Sequence, residues 1–176
     1  MTLPPAAGSP YRVSMVCLGN ICRSPMAEVV LRHRVDGAGL GELVDVDSGG
    51  TGSWHLGEAA DPRARDALAR RGYDGAAHRA RQVGAAWFDE RDLLLVMDED
   101  NLRTMRRLAP DPAAAQRVVL LRSFDPLADG AGQLNVPDPY YGDEAEFDAG
   151  LDIIERSVAG LVPLLAAHVD GADSSR

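Results

Sequence analysis

The chain has 176 residues, 45% of them hydrophobic, a size and composition that fit one domain with its own core. Its formal net charge of −9 argues against a nucleic-acid partner, because phosphate backbones bind basic surfaces. With no apolar run of the roughly 18 residues that a membrane span needs, no signal-peptide pattern and only two cysteines, we expect a cytoplasmic protein without a membrane partner.

Strand and helix patterns alternate along the chain. The predicted strands are residues 13–16, 44–47, 93–97 and 118–121, and the predicted helices are 25–35, 62–71, 99–108 and a long one from Asp143 onward that Pro163 should kink or interrupt. This alternation predicts an α/β fold, a single-domain three-layer structure with a four-stranded parallel sheet and helices on both faces. We expect the domain to span residues 11–170, with 1–10 and 171–176 as flexible tails.

The segment CLGNICRS, residues 17–24, directly follows the first strand and has the form Cys-x5-Arg. We call it the nucleophile loop. Ligands of parallel sheets bind beyond the carboxyl ends of strands, so a site is expected here. With Ser24 as N-cap and Pro25 as the first helical residue, the loop amides have no partner and can form an anion nest. Gly19 is expected to supply a φ that a larger residue would resist.

Cys17 and Arg23 stand at the two ends of this loop. The arginine fork matches two oxygens of a phosphate, and the positive field of the amides favours a Cys17 thiolate at neutral pH. Together they predict phosphoryl transfer through a cysteinyl-phosphate, without a metal or cofactor. A zinc site at Cys17 and Cys22 is disfavoured because zinc needs about four ligands. A nucleotide-binding loop is disfavoured because Gly-Lys-Ser/Thr is missing.

Several segments resemble those of the low-molecular-weight protein tyrosine phosphatases, in family order. They are VCLGNICRSPMAE, DSGGTGSWHLGEAADPRA, HRARQV, LLLVMDEDNLRTM, LRSFDP and VPDPYYGDEAEFD. The resemblance implies a single domain with a four-stranded parallel sheet, hydrolysis of phosphotyrosine in proteins and no cofactor. It implies that Cys17 is the nucleophile and that Arg23 binds the phosphate and the transition state.

The resemblance also implies that Asp138 is the general acid and base. Pro137 and Pro139 agree with this role, because they hold Asp138 on the rigid, extended backbone that a positioned proton donor needs. The implied substrate-binding residues belong to the loop and to an aromatic rim: Leu18, Gly19, Asn20, Ile21, Cys22, Ser24, Trp54, Tyr140 and Tyr141. The implied network that locks the loop consists of Asn20, Ser24, Ser48 and His78.

We assign no catalytic role to the other polar residues. The acidic runs at 98–100 and 143–144 are predicted at helix N-termini, where negative charge is favoured. His33, His55 and His168 are predicted to be structural. In the family the tyrosine pair is also phosphorylated by kinases, which makes a tyrosine kinase acting on Tyr140 or Tyr141 a further expected partner.

Three other functions remain open. Arsenate reduction on this fold needs more cysteines for its relay than Cys17 and Cys22. Phosphoarginine phosphatases tend to have Thr before the second loop cysteine, where this chain has Ile21. A non-catalytic phosphotyrosine-binding module would be expected to lack Cys17 or Asp138, and both are present. The spacing of Cys17 and Cys22 further predicts redox control through a reversible disulfide between them.

Overall fold

The computed structural model describes residues 2–128 and 134–173. Its helices and strands, in chain order, are β1 Tyr11–Cys17, α1 Arg23–Gly37, β2 Val44–Gly50, α2 Pro62–Arg70, α3 Trp87–Glu90, β3 Leu93–Val96, α4 Glu99–Leu108, α5 Pro112–Gln116, β4 Val118–Leu120, a 3₁₀ turn Leu121–Phe124, and α6 Glu144–Asp173. The four predicted strands and the four longer helices are all present. The short helices α3 and α5 and the 3₁₀ turn were not predicted.

The four strands form one parallel sheet in the order β2-β1-β3-β4. Strand β3 shows why its sequence is continuously apolar, because its side chains alternate between two cores. Leu93 and Leu95 enter one core with α1, α2 and α6, whereas Leu94 and Val96 enter the other with α3, α4 and α5. Both faces of the sheet are therefore covered, and the predicted fold class is confirmed.

Helix α1 begins two residues earlier than predicted. Its N-cap is Cys22, whose side chain makes no capping hydrogen bond, so the prediction of Ser24 as N-cap is wrong. Ser24 lies in the first turn instead, with Oγ 2.9 Å from Sγ of Cys17. The Ser-Pro pair is a good helix-start signal, but here the nucleophile loop itself winds into the first turn.

Helix α6 continues through Pro163, so the predicted interruption is wrong. A proline inside a helix costs roughly 3 kcal/mol. Pro163 is exposed, while Val158, Leu161 and Leu165 on either side of it are fully buried in the first core. Burying each such side chain contributes about 1.5–3 kcal/mol, so packing outweighs the local preference.

Part of the predicted N-terminal tail contacts the domain. Leu3 is buried, and the amide of Ala7 donates to Asp92 Oδ1 at 2.7 Å. The other oxygen of Asp92 accepts from the amide of Arg12 at 2.8 Å, so this buried carboxylate joins the segment to β1. Helix α6 extends to Asp173, and residues 174–176 lie outside the described residues. Within the described ranges, none of the helices has the length and hydropathy of a membrane span.

The carboxyl ends of β1, β2 and β3 lie together and position the site. Cys17 pairs with Gly50 at the ends of β1 and β2. A Cβ atom on Gly50 would lie 2.7 Å from the carbonyl oxygen of Leu18, so only glycine lets the loop pass this closely. Beyond β3, the amide of Val136 donates to the carbonyl of Met97 at 2.7 Å. This bond brings residues 136–142, which we call the acid segment, to the same edge of the sheet.

Candidate active site

The nucleophile loop forms the floor of a cavity of about 320 Å³. The lining consists of residues 17–19 and 21–23 of the loop, together with Trp54, His55, Asp138, Tyr140 and Tyr141. The other two loop residues, Asn20 and Ser24, do not line it; Asn20 has a φ of 55°, the left-handed conformation that asparagine tolerates better than most residues. The structure thus brings the predicted nucleophile, arginine, acid and rim residues around a single cavity.

Gly19 does not have the predicted backbone role, because its φ lies outside the left-handed region. A Cβ atom at this position would instead lie 3.1 Å from Cδ2 of His55, so the glycine leaves room for the imidazole against the loop. His55, predicted to be structural, lines the cavity, and its Nδ1 is 2.8 Å from Oε2 of Glu58. Its place directly after Trp54 in the rim was the sequence signal that could have identified it.

The sulfur of Cys17 has two polar contacts within its own loop. It lies 2.9 Å from Oγ of Ser24 and accepts from the amide of Asn20 at 3.3 Å. Ser24 Oγ in turn accepts from Nδ2 of Asn20 at 2.8 Å, and its own proton has two acceptors within reach, the Cys17 sulfur and, at 3.4 Å, the carbonyl of Gly49. Among the described residues, no acceptor pairs with the further loop amides of Leu18, Gly19, Ile21 and Cys22. The sulfur therefore has polar partners within its own loop, and the free amides are donors for an anion.

A polar network behind the loop connects it to neighbouring elements. Asn20 Nδ2 also donates to Ser48 Oγ at 2.9 Å, its Oδ1 accepts from the amide of Arg81 at 2.8 Å, and its carbonyl lies 2.7 Å from Nε2 of His78. Ser48 then donates to Glu28 Oε2 at 2.5 Å. Asn20 and Ser24 have no exposed surface and do not line the cavity, so they contact the loop from behind.

Glu28 closes this network and was missed in the sequence. Its Oε2 lies 3.7 Å from Nδ1 of His78. Burial alone would raise its pKa, but the nearby imidazole of His78, the hydrogen bond from Ser48 and the charge of Arg32 hold the pKa of Glu28 below its usual range. The carboxylate is therefore ionised at neutral pH and orients Ser48 and His78.

Arg23 is 3% exposed and contacts two carboxylates. Its NH1 donates to Asp98 Oδ2 at 2.6 Å and to the carbonyl of Val136 at 3.0 Å, and its NH2 donates to Asp138 Oδ2 at 3.0 Å. Burial would lower its pKa, but the nearby negative groups of Cys17, Asp138 and Asp98 raise the pKa of Arg23 above its usual value. The guanidinium is thus charged and fixed at the cavity wall.

Asp98 is a second functional candidate that the sequence did not reveal. As predicted, it begins a helix, because its Oδ1 accepts from the amide of Asn101 at the start of α4 at 2.7 Å. Its other oxygen holds Arg23. The only available signal was its position directly after the third strand, at the edge of the sheet where the site lies.

The acid segment presents Asp138 to the cavity with its side chain 44% exposed. Its Oδ1 accepts from the amide of Tyr140 at 3.1 Å, and Oδ2 accepts from Arg23. Tyr140 and Tyr141 stack edge to face with ring centroids 4.9 Å apart. Tyr141 is 97% exposed and Trp54 is 71% exposed, so the cavity mouth is rimmed by aromatic surface open to a partner.

Cys22 is buried beside the nucleophile, and both cysteines are free. Burial, and then the charge of Asp61, raise the pKa of Cys22 far above its usual value, so it is a thiol at neutral pH. In the part of the chain that the structure describes, no group of three or more His, Cys, Asp or Glu residues is arranged to hold a metal ion.

A cysteine sulfur, loop amides without an acceptor, a buried arginine and a facing carboxylate thus share one cavity of an α/β fold, an arrangement suited to binding an anion. The model of the low molecular weight phosphotyrosine protein phosphatase family matches residues 12–171. The chain belongs to this family.

Known relatives agree with this membership. The chain is 52% identical over 161 residues to a low molecular weight protein-tyrosine-phosphatase of Streptomyces coelicolor, which covers 92% of this chain and 97% of the relative. It is 45% identical over 152 residues to low molecular weight protein-tyrosine phosphatase A of Mycobacterium tuberculosis, covering 86% of this chain and 90% of the relative. The crystal structure of a protein tyrosine phosphatase from Entamoeba histolytica has a TM-score of 0.82 and 34% sequence identity to this chain. The match covers 89% of this chain and 97% of the Entamoeba chain.

Proposed function

We propose that this protein tyrosine phosphatase hydrolyses phosphotyrosine in proteins through a cysteinyl-phosphate, within a catalytic domain at residues 11–170. Cys17 is the nucleophile, Arg23 binds the phosphate and the transition state, and Asp138 is the general acid and base. The observation that carries this proposal is that the sulfur, the guanidinium and the carboxylate share one cavity. Family membership supports the substrate class.

In the first step, the Cys17 thiolate attacks phosphorus and the bond from phosphorus to the phenolic oxygen breaks. Asp138 gives its proton to that oxygen, so tyrosine leaves as the neutral phenol. The loop amides and Arg23 hold the phosphoryl oxygens while their charge redistributes. In the second step, water attacks phosphorus, Asp138 takes its proton, and the sulfur leaves as a thiolate beside Ser24 Oγ.

The contacts of Arg23 suggest how the site changes when substrate arrives. Asp98 and the Val136 carbonyl hold NH1, so one arm of the guanidinium stays fixed. The other arm, NH2, pairs with Asp138 in the free site. A phosphate dianion competes for NH2 and releases Asp138 to carry its catalytic proton.

The arrangement of the cavity lining supports a preference for phosphotyrosine. The sulfur lies at the floor, and Trp54, Tyr140 and Tyr141 stand at the mouth. A phosphotyrosine side chain is long and flat enough to span this depth and contact the rim. Phosphoserine and phosphothreonine are too short to bring phosphorus within the roughly 3–3.5 Å that in-line attack needs.

The alternatives receive less support. Arsenate reduction lacks relay cysteines beyond Cys17 and Cys22. Ile21 lines the cavity with an apolar side chain and offers no hydrogen bond to a phosphoarginine guanidinium. A non-catalytic binding module would have no use for a nucleophile and an acid facing the same cavity.

The test is turnover on matched peptides that carry phosphotyrosine, phosphoserine or phosphoarginine, with p-nitrophenyl phosphate and arsenate in parallel. We expect the highest kcat/KM on phosphotyrosine and no arsenate reduction. A preference for phosphoserine or phosphoarginine would overturn the substrate class while leaving the cysteinyl-phosphate chemistry intact. Binding without turnover would favour the binding module.

We further propose regulation by oxidation and by phosphorylation. Peroxide oxidises the Cys17 thiolate to a sulfenic acid with release of water, and the Cys22 sulfur displaces a second water to form a disulfide. The Cys17 thiol must stay reduced to act as nucleophile, which fits a cytoplasmic location. The net charge of −9 fits a protein that binds neither nucleic acid nor a membrane. The exposure of Tyr141 suits phosphorylation by a tyrosine kinase, with Tyr140 beside it as the second acceptor.

A further inference from the structure

We propose that Arg63 is a positioning residue, which together with Asp61 holds the acid segment at a fixed place relative to the nucleophile loop. The inference rests on the proposed role of Asp138 as general acid. Neither Arg63 nor Asp61 lines the cavity. Arg63 therefore acts through the backbone that carries Asp138 rather than on the substrate.

The guanidinium of Arg63 donates hydrogen bonds to the acid segment shortly after Asp138. Its NH2 donates to the carbonyl of Tyr140 at 3.0 Å, and its NH1 donates to the carbonyl of Gly142 at 2.9 Å. The guanidinium carbon also lies 4.6 Å from the ring centroid of Phe147, a fully buried residue of α6. Two carbonyls and a buried aromatic face thus fix the position of the fork.

The same guanidinium is tied to the nucleophile loop through Asp61. Nε and NH2 of Arg63 form a two-point contact with Asp61, at 3.0 and 2.8 Å. The amide of Asp61 donates to the carbonyl of Ile21 in the loop at 2.7 Å. The hydrogen bond from Arg63 is the main reason that the pKa of Asp61 lies below its usual range, so the carboxylate is charged. Asp61 and Arg63 therefore form a continuous polar bridge from the loop to the acid segment.

This bridge becomes important when substrate binds. In the free site Asp138 is held by Arg23, and in the proposed mechanism a phosphate competes for that arm of Arg23. Arg23 NH1 still holds the Val136 carbonyl at the start of the acid segment, and among the described residues Arg63 is then the only side chain from outside the segment that donates to the part after Val136. Val136 anchors the segment before Asp138, and Arg63 anchors it after Asp138, so the position of the acid during proton transfer depends on Arg63 as the second anchor.

The test measures kcat/KM of Arg63→Gln and Arg63→Lys on phenyl phosphate, a poor leaving group, and on p-nitrophenyl phosphate, an activated one. Lysine keeps the charge but has one donor centre and cannot bridge both carbonyls and Asp61. A displacement of about 1 Å costs roughly 100-fold in rate, so we expect a 10- to 100-fold loss on phenyl phosphate and less than about 3-fold on p-nitrophenyl phosphate. Inhibition by inorganic phosphate should stay within twofold, because the loop is unchanged.

Arg65→Gln is the matched control, since it removes the same charge from the exposed side of α2. Arg65→Gln should leave the ratio of kcat/KM on phenyl phosphate to kcat/KM on p-nitrophenyl phosphate unchanged. In an Asp138→Asn background, Arg63→Gln should cause little further loss on phenyl phosphate. If Arg63→Gln is unstable by thermal unfolding, Arg63→Lys provides the same readout.

Equal losses on both substrates, or no loss, in a folded Arg63 variant would overturn the positioning role while Asp138→Asn still discriminates between them. If Asp138→Asn itself does not discriminate, the acid assignment fails and the inference fails with it. The two failures are therefore separable within one set of measurements.

Discussion

The nucleophile loop and the acid segment face the same cavity but are held in opposite ways. The loop is continuous in sequence, buried except at Leu18 and Gly19, and connected from behind by Asn20, Ser48 and Glu28. The acid segment presents a half-exposed Asp138, held by arginines that belong to distant parts of the chain. In the proposed mechanism, phosphate binding therefore belongs to a loop connected at many points, whereas proton transfer belongs to a segment held in place by a few side chains. Substitutions in the two regions should therefore differ in kind as well as in size.

The largest effect is expected from Cys17→Ser, which removes the nucleophile and keeps the loop. Turnover should fall by about 10⁴-fold or more, because a serine hydroxyl in this site has no base to activate it. Inorganic phosphate should still bind, since the amides and Arg23 remain. Steady-state turnover and calorimetric phosphate binding test both parts. Turnover within tenfold of wild type would contradict covalent catalysis by Cys17.

Asp138→Asn probes the other region and should give a loss that depends on the leaving group. On phenyl phosphate kcat/KM should fall by about 10²–10⁴-fold, the usual contribution of a general acid. On p-nitrophenyl phosphate the loss should be much smaller, because nitrophenolate leaves without protonation. The result that would argue against an acid role is an equal loss on the two substrates.

Cys22→Ser tests whether the nucleophile loop protects its own nucleophile. After peroxide treatment, dithiothreitol should restore most activity of the wild type through a Cys17–Cys22 disulfide, and little activity of the variant, which proceeds to irreversible acids. Because the pKa of Cys22 is raised by burial, its thiolate fraction, and hence the rate of disulfide closure, should rise about tenfold per pH unit near neutrality. Equal recovery of both proteins would remove the protective role.

Trp54→Ala should produce a moderate loss confined to aromatic substrates. Losing the ring contact should lower kcat/KM on a phosphotyrosine peptide by about 3- to 10-fold, the size of one aromatic interaction. The value for the phosphoserine peptide should hardly change. Leu56→Ala is the matched control, because Leu56 is similarly exposed but does not line the cavity. A similar loss on both peptides would show that Trp54 supports the loop rather than the substrate ring.

The contrast between the two regions also explains what the sequence could predict. The strands, the longer helices and the nucleophile loop depend on neighbouring residues, so spacing and composition revealed them. Asp98 and Arg63 act across long distances in sequence, and acidic or arginine residues are frequent in this chain. Gly19 was predicted from its backbone freedom, but its role is to leave room for the His55 ring. Ser24 was predicted as a helix cap, but its hydroxyl contacts the Cys17 sulfur instead.

The smallest effect is expected where the nucleophile loop depends on the charge of Glu28. Since its folded pKa lies below the unfolded value, Glu28 stabilises the protein above the unfolded pKa, and this contribution is lost as the pH falls through the folded pKa. Glu28→Gln should therefore lower the free energy of unfolding at pH 7 by about 1 kcal/mol, the usual net value of one hydrogen bond.

The difference between wild type and Glu28→Gln should shrink as the pH falls below about 4, near the usual pKa of a free glutamate. Urea unfolding at pH 7 and at acidic pH measures it, with Glu42→Gln as the control for an exposed glutamate. Arg32, His78 and Ser48 face the Glu28 carboxylate. Arg32 stays charged throughout, so only the Glu28 carboxylate loses its charge in this pair as the pH falls. A difference between wild type and variant that persists unchanged in acid would therefore mean that Glu28 acts by its shape, and that packing rather than charge holds the loop.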